Sequence, residues 1–400
     1  MISRRRATIA CASALASVAV GKKAYAGRNI RMVRVPTGGL QPQVAVDDRG
    51  ILHLIYYVGD ARKGDLFYVR STDHGSTFSS PIAVNNVPGS SVAAGTIRGA
   101  QLAIGNAGRV HVAWNGSSQA EPGPLNPDSG NRGMPMLYTR LNDTGKAFEQ
   151  QRNLMLQSFG LDGGGSIAAD RRGNVYVAWH GIAQTEAKGT GKEGEARRRV
   201  WITKSNDEGR TFATERKAWP AETGACACCG MRLFADRENN VHALYRSATE
   251  SVHRDIYFLS SKDQGGSFQG RLLHKWDINA CPMSSMDFVE HGSIFVGAWE
   301  TGGQVYWARL DGNGASGNQV IAAPGTGKGR KHPRVAINGN NELLMVWTEG
   351  TGWERGGSLA YQVYDRRGEP TEERGQLPGI ATWSFAAPIA GPDNGFSIVY

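Results

Sequence analysis

Apolar and polar positions along the chain fall into short strand-like runs and not into helical stripes. Seven times, a short apolar run enters a Gly/Asn/Asp turn and returns as a second apolar run closing on an aromatic residue. These segments span 42–57, 100–115, 165–180, 231–246, 285–300, 333–348 and 385–400, with closing aromatics Tyr56, Trp114, Trp179, Tyr245, Trp299, Trp347 and Tyr400. Runs of this length around such turns predict β-hairpins. A third strand is predicted after six of them, at 65–70, 135–140, 200–204, 255–260, 304–310 and 359–364. A fourth, outer strand then returns, as at 80–86.

A four-stranded unit repeating every 48 to 66 residues predicts an all-β chain folded as a β-propeller. One blade cannot cover both its faces, so blades pack around an axis and the repeated aromatics fill the space between neighbours. Seven inner hairpins against six third strands leave the last blade incomplete. The segment 29–35, "NIRMVRV", is placed to supply its outer strand and close a seven-bladed ring; six blades with an appended hairpin is the alternative.

Four of the third strands run into a shared turn: "STDHGSTF" (71–78), "LNDTGKAF" (141–148), "SNDEGRTF" (205–212) and "SKDQGGSF" (261–268). "LDGNG" (310–314) and "YDRRG" (364–368) are worn versions. The pattern S-x-D-x-G-x-[T/S]-F resembles the Asp-box, or BNR repeat, of the sialidase family. The resemblance implies a sialidase-like propeller over nearly the whole chain, with these boxes on the face opposite the active site. Asp73, Asp143, Asp207 and Asp263 are therefore read as structural: Asp bonds turn backbone groups and Gly permits positive φ.

The family's chemistry uses three arginines on a carboxylate, a Tyr nucleophile activated by Glu, and an acid. Arg246, ending "VHALYR", matches the place of the second arginine, and Arg334 that of a third. The place of the family's Glu reads Cys228-Cys229-Gly230, and no nucleophilic Tyr can be assigned, so the catalytic set is incomplete. The phrases "CxCC", "YR…HRDIYFLSSKDQGGSF" and "NACPM" together resemble a group of exported sialidase-like proteins; Arg246, Arg254, Asp255 and the cysteines belong to that resemblance.

Propeller geometry sorts further candidates. The start of each first strand and the end of each second strand lie on one face, here called upper, close to the axis. The residues after the closing aromatics are Tyr57, Asn115, His180, Arg246, Glu300 and Thr348, a polar set expected to line a pocket. Arg98, Gln101, His332 and Arg334 come from first-strand starts, and Asp60 and Glu349 lie just beyond strand ends. Two polar, Gly-rich insertions, 116–135 and 181–199, leave the same face as mobile walls or plain loops.

Composition adds an export reading. Residues 1–26 have a basic start, a weakly apolar middle and the small-residue site Ala24-Tyr25-Ala26, which suggests a twin-arginine signal ahead of a single domain at 27–400. The protein is then periplasmic or extracellular. Of the formal +9 charge, five positive charges lie in that segment, leaving +4, which gives nucleic-acid binding little support. No run of eighteen apolar residues predicts a membrane-spanning helix.

Cys11 lies within the signal. The other four cysteines sit in "ACACCGM" (Cys226, Cys228, Cys229) and "NACPM" (Cys281), at the first-strand starts of adjacent blades. Four thiols on the upper face near the axis make either two disulfides, the plainer choice in an exported protein, or a soft-metal site for copper or zinc with Met231 and Met283 nearby. Apart from that site no cofactor is expected.

The leading functional expectation is an exported propeller that binds or processes an extracellular glycan on its upper face. If it is an enzyme, the resemblance implies an exo-α-sialidase-like glycoside hydrolase. Candidate catalytic residues are Arg246, Glu300, His180, Arg98 and Arg334; candidate substrate contacts are Asn115, Tyr57, His332, Glu349, Arg254 and Asp255. The alternatives are a metal-binding or redox propeller built on the cysteines, a polysaccharide lyase using His180 and Arg246, and a non-catalytic scaffold.

Overall fold

The computed structural model describes residues 30–120, 123–124, 130, 133–186, 192–310 and 319–400. The export-signal reading, Cys11 and most of the 310–314 turn lie outside the described residues.

The seven expected hairpins form seven blades. Blade 1 consists of Leu40–Val46, Leu52–Asp60, Lys63–Ser71 and Ile82–Ala83. Blade 2 follows with Gln101–Ile104, Val110–Asn115, Met136–Arg140 and Arg152–Asn153. Blade 3 has Ser166–Ala169, Val175–Ala183, Arg199–Ser205 and Arg216–Lys217, with Ser158–Phe159 added on its second strand. Blade 4 has Arg232–Ala235, Val241–Arg246, Ile256–Ser261 and Gln269–His274. Blade 5 has Asp287–His291, Ile294–Thr301, Gln304–Arg309 and Ile321–Ala322. Blade 6 has Arg330–Ile337, Leu343–Glu349, Gly357–Tyr364 and Pro370–Ile380.

Blade 7 settles the blade count. Ala387–Ala390 and Phe396–Val399 form its hairpin, and Ile30–Val33 pairs parallel to the second strand from Ile30↔Phe396 to Val33↔Val399. The first and last described strands thus share one three-stranded blade. Hydrogen bonds Val35 N to Tyr400 O (2.9 Å) and Tyr400 N to Val33 O (3.0 Å) extend the joint. Closing a ring this way leaves no exposed inner edge.

Six of the seven repeated aromatics pack as expected: Tyr56, Trp114, Trp179, Tyr245, Trp299 and Trp347 are buried, whereas Tyr400 is only partly buried. The S-x-D-x-G turns stitch one blade to the one before it. In blade 3, Asp207 Oδ1 accepts from Ser205 Oγ (2.7 Å) and Thr211 N (2.8 Å), and Oδ2 accepts from Thr211 Oγ1 (2.6 Å). Asp73 and Asp263 repeat these contacts in blades 1 and 4. Phe212 then meets Tyr138 of blade 2 edge-on at 4.7 Å, as Phe148 meets Tyr68 of blade 1 at 5.6 Å. Gly209 (φ +78) lies where any side chain would strike the Tyr138 hydroxyl. Blade 2 is the exception: Leu141 replaces Ser, and Asp143 pairs with Arg109 at 2.5 Å.

All seven first strands line an axial cavity of about 580 Å³. It meets a recess of about 600 Å³ on the lower face, lined by the hairpin turns at Asp47, Asp170 and Asp236. On the upper face the first-strand starts fold inward. Gln41 donates through Nε2 to Ala93 O (2.7 Å) and Trp383 O (2.8 Å), tying blades 1, 2 and 7 together. Gln41, Thr96, Met283, His332 and Trp383 all have positive φ at this end. For residues other than Gly that costs on the order of 1 kcal/mol or more each, so the surrounding packing must enforce it. Register shifts within the first strands of blades 1 and 6 turn Gln41 and His332 out of the regular pleat.

Candidate metal centre

The sequence 224–231 arrives at blade 4 as a tight loop. Cys226 N donates to Arg246 O (2.9 Å), Cys229 N to Cys226 O (3.3 Å) and Gly230 N to Ser284 O (3.0 Å). The turn folds three side chains inward. Cys226 Sγ lies 3.5 Å from Cys228 Sγ and 3.3 Å from Cys229 Sγ, and all three sulfurs lie within 4.8 Å of one another. The trio is buried, and Met283 packs against it. Cys281, from the neighbouring blade, is exposed, and its thiol lies near Cys228. The four cysteines therefore meet at the upper end of the axis, and all four are free thiols. Their closest approach is well beyond the ~2.05 Å of a disulfide. Met231 does not join them; it is buried between blades 3 and 4 with Ala168 and Tyr245.

Neighbouring segments close over the loop. Gly163 comes so near that a Cβ there would lie 2.2 Å from Ala227 O and 2.3 Å from Cys229 O. The second insertion, read as a wall or a plain loop, carries a short helix at Lys192–Arg197. Its Glu195 accepts from Ala227 N (3.1 Å) and from Arg254 Nη2 (2.5 Å). Glu195 and Arg198 are the functional-site residues that sequence reasoning missed, because the insertion's composition reads as loop.

Three guanidinium groups surround the sulfurs. Arg246 is fully buried and bonds Arg254 O (2.8 Å) and Glu300 Oε2 (3.1 Å), with Trp276 stacked 5.0 Å from its guanidinium carbon. Arg254 is buried beside Glu195, and Arg198 donates to Gly160 O. Buried donors Arg198 Nε, Arg246 Nε, Arg254 Nε and Arg254 Nη1 have no hydrogen-bond partner. Orphaned cationic donors in a buried site favour negative charge on what they face.

The thiols answer that field. Burial opposes ionisation of Cys229, but S–H bonds from Cys226 and Cys228 and the charge of Arg246 outweigh it, holding Cys229 well below the ordinary thiol range. Cys228 is pushed far up, by its bonds to Cys226, Cys229 and Cys281 and by burial. Cys281 is lowered, mainly by its bond from Cys228.

The remaining candidates sort around this centre. His180 is fully buried with neither ring nitrogen hydrogen-bonded; burial and Arg198 bring its pKa down to about 4, against a pull from Cys229. His332 faces Ser285 Oγ at 3.4 Å, and burial brings it to about 3. Tyr57, Asn115, Glu300 and Thr348 are buried too. Asn115 donates to Gly163 O (2.8 Å), Glu300 accepts from Gly303 N (2.8 Å), Thr348 bonds Lys331 O (3.2 Å), and Tyr57 bonds Asp60 O. Arg98 is held by Asp162, through both its backbone oxygen (2.8 Å) and its carboxylate (2.5 Å). Asp255 accepts from Trp276 N (2.9 Å), and Glu349 holds Arg330 (3.0 Å) and Trp347 (2.9 Å). Arg334 sits apart, on the axial cavity, 3.5 Å from Asp287, which also pairs with Arg232 at 3.1 Å.

No family model and no curated protein sequence matches the chain. Solved structures do. A Hadza microbial sialidase superposes with a TM-score of 0.53 at 12% identity, over 82% of this chain and 66% of its own length. Penicillium chrysogenum alpha-L-arabinanase gives 0.51 at 15%, over 83% of this chain and 95% of that one. Trypanosoma rangeli sialidase gives 0.52 at 12%, over 81% and 54%. The class is therefore an all-β, seven-bladed propeller with a sialidase-like fold. At these identities the likeness is one of fold, and function is argued from the site.

Proposed function

We propose that this chain is an exported soft-metal-binding propeller that holds a single Cu(I) ion on Cys226, Cys228 and Cys229. The observation that carries the reading is the mutual approach of three buried thiol sulfurs beneath guanidinium donors that lack partners. Metal–sulfur bonds of ~2.3 Å separate the sulfurs of a three-coordinate set by ~4 Å, so a small expansion of the trio suffices. A structural zinc site wants four ligands in a tetrahedron, whereas thiolate and thioether donors in a lower-coordinate set select Cu(I). A thiolate set around a monovalent ion keeps a net negative charge, which suits the guanidinium N–H donors left over by the Arg246–Glu300 and Arg254–Glu195 pairs; a neutral disulfide would offer those donors no anionic acceptor.

Anaerobic titration of the reduced protein with Cu(I), in competition with a chromophoric chelator, tests this. One Cu(I) per chain, lost in Cys226→Ser and Cys229→Ser, is expected. Failure to compete, or thiol assays finding the trio oxidised in protein isolated without reductant, would refute it.

A second reading, binding or processing of a glycan, is favoured by the fold shared with two sialidases and an arabinanase. Against it, Arg246 and Glu300 are buried and bonded to each other. Turnover of sialyl or arabinan substrates that is lost in Arg334→Ala would favour this reading over the first.

A further inference from the structure

The four sulfurs do not play equal parts. Cys226, Cys228 and Cys229 form a mutually close, buried set. Cys281 is exposed, its loop packs on the set through Met283, and its thiol lies near Cys228, which in turn touches Cys226. Sulfur atoms thus run in file from solvent to the buried site. Met283, two residues from Cys281, packs on the trio with its backbone at φ +51, a conformation that needs enforcement. The Cys281 loop is tethered from blades 4 and 6: Lys331 Nζ donates to Pro282 O (2.6 Å), Gly230 N to Ser284 O (3.0 Å) and His332 N to Ser284 Oγ (3.3 Å). Other described segments pack on the cysteine loop: Gly163 on one side, and Glu195 with Arg254 on another.

We infer that Cys281 is the capture thiol of this site: it takes Cu(I) from an external carrier and passes it to the buried trio through Cys228. The inference rests on the Cu(I) reading above. In the first exchange a carrier–copper bond breaks, a copper–sulfur bond to Cys281 forms, and the thiol proton goes to water. Cys228 then bonds the ion and releases its thiol proton to water. As Cys226, which likewise gives its proton to water, and Cys229 complete the set, the Cys281–copper bond breaks and Cys281 regains a proton from water. Copper remains Cu(I) throughout, so no oxidant or reductant is needed. A soft ion moves by overlapping sulfur contacts, and the exposed ligand sets the rate while the buried ligands set the affinity.

The test is anaerobic stopped-flow transfer of Cu(I) from its bicinchoninate complex to the reduced protein, alongside equilibrium competition with the same chelator. Cys281→Ser should keep one Cu(I) per chain with little change in affinity while loading at least roughly tenfold more slowly, the scale on which accessory ligands act. Cys281→Met, which keeps a soft donor, should recover most of the rate. Cys228→Ser should lose affinity itself, and thermal melting of each variant checks that it is folded. Unchanged loading by a folded Cys281→Ser protein would overturn the inference, as would loss of stoichiometric binding, which would make Cys281 a resident ligand. Wild-type protein that binds no Cu(I) would instead refute the site itself.

Discussion

Arg246 of blade 4 reaches Glu300 of blade 5, Nη2 to Oε2 at 3.1 Å, with both side chains buried and Cys226 N bonded to the backbone oxygen of the same arginine. The pair joins two blades at the floor of the thiol loop. Burial raises the Glu300 pKa, and the Arg246 charge pulls it back. Deleting one partner of a buried ion pair leaves an uncompensated charge, which costs ~3–5 kcal/mol. Arg246→Ala should lose that much stability in urea unfolding and should also weaken Cu(I) binding. A loss under about 1 kcal/mol, as for an exposed group, would contradict the assigned role.

Gly163 is predicted to be intolerant of any side chain. Both atoms that a Cβ would strike are backbone oxygens of the cysteine loop, so neither can swing aside. Gly163→Ala should displace the loop, lower the melting temperature and weaken Cu(I) binding together. Gly145, with open space around it, supplies the control: Gly145→Ala carries only the strain of its positive φ and should leave Cu(I) affinity unchanged.

The blade turns should differ in sensitivity. Asp207 is held low, to about 2, because hydrogen bonds from Thr211 and Ser205 outweigh burial. Asp143 is held from outside its own turn, by Arg109 at 2.5 Å and Arg210 at 4.0 Å, without the turn hydrogen bonds that Asp207 accepts. Asp207→Ala should therefore lower the melting temperature more than Asp143→Ala, as differential scanning calorimetry would show.

Acid should destabilise the metal-free fold steeply. Burial lowers His111 and His332 to about 3 and His180 to about 4, so all three are neutral when folded. Unfolded, each titrates near 6.5 and takes up a proton as the pH falls. Their full contribution is present above ~6.5 and is lost progressively as the pH falls, to about 4 for His180 and about 3 for His111 and His332. Each group steepens the fall by up to ~1.4 kcal/mol per pH unit, about 4 for the three together. His111→Gln, far from the thiols, should make the urea midpoint measurably less pH-dependent between 6.5 and 4; an unchanged slope would remove His111 from this account.

Much of the fold was legible in the chain. The seven hairpins, their closing aromatics and the Ser-Asp-Gly turns are local patterns, fixed by strand alternation and turn chemistry within about sixteen residues. Even the role of 29–35 followed from counting, because an open ring exposes an unpaired edge. The meeting of Cys281 with the 226–229 loop also followed, since adjacent blades bring equivalent positions together.

What the tertiary structure alone decided is how the upper face is filled. His180, Arg246, Glu300 and Thr348 look in sequence like pocket residues, yet each is buried. Glu195 and Arg198 come from an insertion whose composition reads as loop, and only folding lays that segment over the cysteines. The physical reason is range. Hydrogen-bonded turns and strand alternation are settled by near neighbours, whereas burial of a charge and the mutual approach of three sulfurs depend on segments meeting from separate blades.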